Sequence, residues 1–100
     1  MKYSIRYKLQ AIEDIQRVYD YIECELFNPT AAKRFIEGIY AKIDQLRLNA
    51  GIFAISTYRA ILQYNAAARH ILYKEFAIIY SIRGNLVVIH RIIHGSLIKE

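Results

Sequence analysis

The second half of the chain carries the side chains that could bind or act on a charged partner. Arginine binds phosphate and carboxylate groups through paired N–H donors, and histidine can exchange a proton near neutral pH. The candidates are Arg59, Arg69, Arg83, Arg91 and His94. They predict a partner-binding surface, or else unrelated solvated side chains in turns and on sheet rims. Arg91, flanked by apolar neighbours, is the strongest of the five.

The three histidines do not have the spacing of a metal site. On a strand, His90 and His94 would share a face but lie about 13 Å apart, far beyond the roughly 2 Å bonds that two ligands of one zinc ion need. We find no glycine-rich phosphate loop, Ser-His-Asp order or paired-carboxylate site. The lone Cys24 excludes an internal disulfide and is predicted to be a partly buried small hydrophobe. We therefore expect no cofactor and no metal.

A strand and a helix are predicted at the start of the chain. Residues 3–7 alternate polar and apolar side chains, which indicates a short strand. Residues 9–27 then show helical periodicity, with Leu9, Ile12 and Ile15 beginning the apolar stripe and Asp14 on the solvent side.

A second helix should follow at once, because Asn28 suits an N-cap and Pro29 suits the first helical turn. Asn49 or Gly51 could supply a left-handed cap at its end. With so short a connection, the two helices should form an antiparallel hairpin. Gly38 within the second helix predicts a close contact between helices.

An antiparallel meander is predicted for the last third of the chain. Residues 50–68 indicate an irregular connection containing one strand. Residues 69–73, 76–83 and 86–93 are rich in strand-forming residues and are separated by short polar turns. The predicted fold class is therefore α+β: an N-terminal strand, a helix hairpin, then an antiparallel sheet of three or four strands.

The turn at Gly84 decides which side chains of the last strand face the helices. A three-residue turn would pair Ile82 with Leu86 and would place Val88 and His90 on the helix side. A two-residue turn would exchange the faces of that strand, and the sequence leaves both possible. The side away from the helices would carry Ala77, Ile79, Ser81, Val87, Ile89 and Arg91, and we expect it to be open to a partner.

Size and charge favour one small basic domain spanning residues 1–100. The chain has 100 residues, of which 55% are hydrophobic, and a net charge of +5. Residues 1–50 hold eight Lys/Arg and seven Asp/Glu, whereas residues 51–100 hold six and two. This positive excess favours phosphate backbones or acidic protein segments as partners. Neither a signal peptide nor a membrane span is indicated, which predicts a cytoplasmic protein.

Several loose motifs, taken in order, resemble the RelE/ParE superfamily of bacterial toxins, which includes plasmid stabilisation proteins. They are Ala11, Asp14-Ile15 and Tyr21-Ile22 in the first helix, Asn28–Ala32 and Arg34-Phe35 in the second, and Arg69–Tyr73, Ile78–Tyr80 and Arg91–Gly95 in the sheet. The resemblance implies a toxin of a type II toxin–antitoxin pair, silenced by the C-terminal segment of a cognate antitoxin.

The resemblance implies two possible activities. RelE-like members cut mRNA on the ribosome, for which the basic groups would be Arg69, Arg91 and His94. That branch usually has an arginine after the aromatic residue that opens the central strand, whereas Phe76 is followed by Ala77. ParE-like members poison DNA gyrase by binding it, without a catalytic residue, and this branch fits the sequence better. A third possibility is an antitoxin-binding module that is not toxic.

Overall fold

The computed structural model describes residues 2–98 and has a mixed helix and sheet architecture. The elements are β1 (Ser4–Tyr7), α1 (Leu9–Asp20), a π-helical turn (Tyr21–Glu25), α2 (Pro29–Asp44), α3 (Leu46–Asn49), a 3-10 turn (Ala50–Ile52), α4 (Arg59–Leu62), β2 (Arg69–Tyr73), β3 (Phe76–Arg83), β4 (Leu86–His94) and a last 3-10 turn (Gly95–Leu97). The α+β prediction is confirmed, with the helix hairpin followed by three antiparallel strands.

The strand order is β1-β4-β3-β2. β1 lies parallel to β4, with Ser4 opposite Leu86 and Tyr7 opposite Ile89. The sheet is therefore mixed, whereas the sequence predicted only the antiparallel part. A parallel pair needs a long connection between its strands, and here the helices and the first part of the meander provide it.

The first helix differs from its prediction in length and in its buried face. Its α-helical part ends at Asp20 and continues as the π-helical turn. Ile15 is buried as predicted, but Leu9 and Ile12 are exposed and Asp14 is buried, contrary to the prediction for these three residues. The buried carboxylate binds the sheet through Arg91 and the backbone N–H of Ile92.

The start of the second helix is as predicted, and its end is not. The Asn28 side chain accepts a hydrogen bond of 3.0 Å from the backbone N–H of Ala31, with Pro29 in the first turn. The predicted left-handed cap is wrong, because Asn49 has a φ of −130° and the chain continues through α3 into a 3-10 turn. Among the glycines of residues 2–98, only Gly84 has a positive φ.

Gly38 allows contact with the sheet rather than with the other helix. A Cβ atom at Gly38 would overlap the hydroxyl oxygen of Tyr73 in β2. The predicted helix contact is therefore replaced by a strand tyrosine, for which the missing side chain makes room.

The side of the sheet that meets α1 and α2, termed the helix face, carries the main core. Its fully buried side chains include Ile15, Ile39, Ile43, Ile78 and Tyr80. The Tyr80 hydroxyl donates a 2.7 Å hydrogen bond to the carbonyl of Ala50, so the ring is buried without leaving its polar atom unpaired.

The turn between β3 and β4 has two residues, with Arg83 opposite Leu86. Gly84 adopts a φ of 62°, a left-handed conformation that glycine adopts without strain. The first hypothesis, a three-residue turn pairing Ile82 with Leu86, is therefore wrong. Val87 pairs with Ile82 instead, on the helix face.

A β-bulge then restores the predicted face at the end of β4. Tyr80 pairs with Ile89 and Ile79 with Arg91, so His90 is the additional residue. Ile89 was predicted on the far side and lies on the helix face, whereas Ile92 lies on the helix face as predicted. The short turn exchanges the faces of residues 86–90, and the bulge exchanges them back.

The other side of the sheet, termed the rear face, is covered in part by the chain itself. Residues 53–68 contain α4 and no strand within the described structure, so the strand predicted there is wrong. This segment packs Ile61 and Ala68 against Ala77, Ile79 and Ile93 in a second small core. The prediction of a rear face open to a partner is therefore wrong for the part of the sheet that contains Ala77, Ile79 and Ile93. A partner has to use other surfaces.

Candidate partner-binding surface

Arg69 serves the fold rather than a partner. It pairs with Tyr80 across the ladder and lies on the helix face. Its guanidinium donates to the carbonyl oxygens of Gly51, at 3.2 Å, and of Phe53. These two carbonyl groups lie at or just after the 3-10 turn Ala50–Ile52, where the chain leaves the helices. The Arg69 guanidinium therefore pairs with carbonyl oxygens of a kind that helix ends leave without an N–H partner.

Arg91 is also bound internally, on the rear face. Its Nε and Nη2 atoms donate to the two carboxylate oxygens of Asp14, at 2.7 and 3.0 Å. Asp14, 4% exposed, also accepts from the backbone N–H of Ile92 at 3.0 Å and from Arg17 at 3.2 Å. The hydrogen bonds to Asp14 raise the pKa of Arg91.

The other predicted residues lie far apart. Arg83 is at the turn end of β3 and His94 at the far end of β4, opposite Phe76. Seven residues of strand separate the two ends, about 23 Å. Arg59 is exposed on α4. Residues 59, 69, 83, 91 and 94 therefore do not form one surface. The nuclease set does not converge either, because Arg69 and Arg91 lie on opposite faces.

His94 is exposed at the end of β4 and is oriented by Ser96. The backbone N–H of Ser96 donates to Nδ1 of His94 at 3.1 Å, and the Ser96 hydroxyl lies 2.7 Å from the same nitrogen. In the neutral ring, the proton is therefore on Nε2, which faces away from Ser96. The ring contacts Phe76 edge to face, with centroids 5.8 Å apart.

An apolar groove of about 360 Å³ lies beside His94. Its walls come from the end of the first helix, the start of α2 and the turn between β2 and β3. The side chains that line it include Val18, Tyr21, Ile22, Leu26, Phe35 and Phe76. Lys74, Glu75 and His94 complete the lining with charged and polar groups.

Phe27, next in sequence to the groove residue Leu26, is the most unusual exposed side chain. It is 86% exposed, and Tyr21 and Leu26 are each 54% exposed. Its φ is 50°, in the left-handed region where glycine is favoured at helix ends. The backbone N–H of Asn28 donates to the carbonyl of Ile22 at 3.1 Å, the long hydrogen bond typical of such an end. An exposed aromatic residue in a strained conformation points to a binding role.

A second cleft, of about 420 Å³, lies on the rear side of the same end of the sheet. It is lined by Tyr58, His70 and Leu72, and it shares Lys74, Glu75 and His94 with the apolar groove. Burial lowers the pKa of His70. Leu72 is 57% exposed, which adds apolar surface on the edge strand β2.

The sequence offered one signal for Phe27 that the prediction missed. A helix through residue 27 cannot run directly into an N-cap at Asn28, because the chain must reverse between them. The residue before Asn28 therefore has to leave the helical conformation. Cys24, predicted to be partly buried, is exposed on the π-helical turn.

Within residues 2–98, no group of three or more His, Cys, Asp or Glu side chains is placed to hold a metal ion. No helix in the described part of the chain is long and apolar enough to cross a membrane.

Comparison with known proteins agrees with this architecture. Residues 5–98 match the family model for the ParE toxin of the type II toxin–antitoxin system parDE. The chain resembles a solved structure of the chromosomal ParDE system from P. aeruginosa, with a TM-score of 0.75, 20% identity, and coverage of 93% of this chain and 96% of the other. No curated protein sequence matches.

A second solved structure, the RelBE2 toxin–antitoxin complex of Mycobacterium tuberculosis, is less similar. Its TM-score is 0.55 at 16% identity, with 94% of this chain and 99% of the other covered. The fold is that of the RelE/ParE toxins, and the family match places the chain in one branch of it. The chain belongs to the ParE toxin family of type II toxin–antitoxin systems.

Proposed function

We propose that this ParE-type toxin poisons DNA gyrase by binding it, and that a cognate antitoxin blocks it by occupying the apolar groove. The observation that carries the first part is the internal use of Arg69 and Arg91. Because both guanidinium groups are bound to the chain's own oxygen atoms, on opposite faces of the sheet, they are not available together for phosphate chemistry. Binding to a target needs no such convergence.

The apolar groove supports the antitoxin part of the proposal. Tyr21, Leu26 and Phe27 expose large apolar surface at one end of the molecule, where an amphipathic segment could bury it. The net charge of +5 favours an acidic segment. Both proposed partners place the protein's action in the cytoplasm.

Purified toxin in a gyrase supercoiling assay tests the target. We expect cleaved DNA to accumulate after detergent treatment, and no cut mRNA when the toxin is added to translating ribosomes. Normal supercoiling together with ribosome-dependent mRNA cleavage would reject gyrase and favour the RelE-type alternative. Expression without antitoxin that leaves growth unchanged would favour a non-toxic antitoxin-binding module.

Phe27→Gly tests the groove separately from the target. We expect it to raise the Kd for the cognate antitoxin at least tenfold, because exposed aromatic anchors often dominate an interface. Phe27 borders the groove as the neighbour of Leu26, whereas Leu48 lines a separate cleft with Asp44 and Arg47. Leu48→Ala, at a residue that is 71% exposed, is therefore the control. Equal affinities of the two variants, measured by isothermal titration calorimetry, would remove Phe27 from the proposed antitoxin site.

A further inference from the structure

We infer that Arg6, Lys8 and Arg83 form a binding surface for the phosphate backbone of duplex DNA, on the half of the rear face that borders the Gly84 turn. This surface, termed the basic patch, goes beyond the proposed function because it requires neither gyrase nor an antitoxin. None of the five residues chosen from sequence for partner binding, except Arg83, belongs to it.

The strand register brings the three cations to one face. Arg6 pairs with Val88, which pairs with Ser81 across the next ladder, so these three form one row. Arg83 and Leu86 form the adjacent row toward the turn. Along β4, Val87 and Ile89 alternate with the row residues Leu86 and Val88. Because Val87 and Ile89 belong to the helix-face core, both rows lie on the rear face.

Lys8 extends the patch on the other side of Arg6. It follows β1 in an extended conformation, and its N–H donates to the carbonyl of Ile89 at 2.9 Å. Its positive charge, together with the larger effect of burial, lowers the pKa of His90. Because the His90 ring lies 2.7 Å from the hydroxyl of Ser81, Lys8 faces the same side as the first row.

These cations are exposed and have no carboxylate partner among residues 2–98. Arg6, Lys8 and Arg83 are all exposed, and the ion pairs formed within residues 2–98 involve only Arg17, Arg47 and Arg91. The strands β1, β3 and β4 contain no Asp or Glu at all. The patch therefore keeps its full positive charge for an external anion.

The surroundings favour nucleic acid over an acidic protein segment. Leu86 and Val88, the apolar side chains of the two rows, are half-buried, so a folding segment would gain little apolar burial on them. Arg6 and Lys8 are two strand residues apart, about 7 Å; Arg6 and Arg83 lie two strands apart and are offset by two residues along the strands, about 12 Å in all. Three exposed cations at this density suit a duplex, which carries one charge per roughly 1.7 Å of axis.

Fluorescence anisotropy with a labelled DNA duplex of about 30 base pairs, and without gyrase, tests this surface. Neutralising three phosphates predicts a slope of about −2.7 for log K against log salt concentration. The triple variant R6Q/K8Q/R83Q should weaken binding at least tenfold at about 50 mM salt and flatten the slope. Each single variant should reduce the slope by about 1.

The charge-matched control is K33Q/R34Q/K42Q on α2, which covers the opposite face of the sheet. It should leave the slope unchanged and affect affinity less than threefold. Equal losses in the two triple variants, or no binding by the native chain at low salt, would overturn the inference. Tighter binding to a polyglutamate peptide, or to a single-stranded oligonucleotide of equal charge, would overturn the assignment to duplex DNA. Far-ultraviolet circular dichroism confirms that each variant is folded.

Discussion

The two ends of the first helix are built in opposite ways. In its first half, at the sixth of the twelve residues of α1, Asp14 is 4% exposed and accepts hydrogen bonds from Arg91, Arg17 and the backbone of Ile92. At its far end, the π-helical turn leads to Phe27, which is 86% exposed with a φ of 50°. One end satisfies a buried charge completely, and the other exposes an aromatic ring at a conformational cost.

This difference separates stability from binding along a single element. Removing Asp14 would leave buried donors without an acceptor, so α1 would lose its polar contacts with β4 and keep only its apolar packing. Removing the Phe27 side chain would relieve strain and break no hydrogen bond among the described residues. Substitutions at the first end should therefore reduce stability, whereas those at the second should reduce binding and spare the fold.

The largest expected effect is that of Asp14→Asn. The amide cannot accept hydrogen bonds from all its donors, and Arg91 loses the charge that balances it. We expect the free energy of unfolding to fall by about 3 kcal/mol, toward the low end for a broken buried pair because Arg91 is 27% exposed. Urea denaturation of the native chain and the variant measures this difference in the free energy of unfolding. Glu13→Gln, an exposed neighbour on α1, should change stability by less than about 0.5 kcal/mol, and equal losses would contradict the assignment.

Gly38→Ala should be the next most damaging change, because it separates α2 from β2. The added methyl group would meet the Tyr73 hydroxyl oxygen and ring, so the tyrosine must move. We expect a loss of about 2 kcal/mol, although alanine is the better helix former. The double variant Gly38→Ala/Tyr73→Phe removes the nearest atom and should recover part of the loss. Unchanged thermal stability of the single variant would show that the contact is not close.

Acidification should weaken the fold through His90, beside the bulge. Burial, and then the charge of Lys8, lowers its pKa below the ordinary 6.5. As the pH falls below about 6.5, the unfolded chain takes up a proton that the native ring does not, so the free energy of unfolding decreases. The slope is at most about 1.4 kcal/mol per pH unit for this residue.

A pH series of urea denaturation curves for His90→Gln checks this prediction. The variant should show a weaker pH dependence between about 5 and 7, while the amide still offers Ser81 a hydrogen-bonding group. The same pH series for His70→Gln is compared with that for His90→Gln, because burial also lowers the pKa of His70. If His90→Gln leaves the pH dependence as steep as in the native chain, the titrating group is elsewhere.

The smallest expected effect has the opposite sign. Phe27→Gly should raise the free energy of unfolding by up to about 1 kcal/mol, because glycine adopts the left-handed conformation without strain. Thermal denaturation would show a higher Tm. A clear loss of stability would mean that Phe27 packs against the fold, and it would weaken the contrast between the two ends of α1.

Local patterns determined most of the elements from sequence. Helical and alternating periodicities located β1, both long helices and β2 to β4 to within a few residues, except at the end of the first helix. The Asn28-Pro29 start of α2 followed from capping chemistry alone. The family resemblance rested on the same motifs in order, and the comparisons confirm it.

The residues of the candidate site were predicted less well than the elements, because the site depends on which side chains form hydrogen bonds within the folded chain. Arg69 and Arg91 look like free cations in the sequence. Their partners, the carbonyl groups near residue 51 and the carboxylate of Asp14, are 18 and 77 positions away. No local pattern reports contacts over such distances.

The sequence by itself determined the elements, their order and the positive charge, since these depend on side chains a few positions apart. The tertiary structure decided the parallel pairing of β1 with β4, the two-residue turn, the bulge and the covering of the rear face. A shift of one residue in a strand moves each side chain to the other face, and only packing against the rest of the chain fixes that register. For this reason Arg6 and Lys8, far from Arg83 in sequence, share a surface with it only in the folded protein.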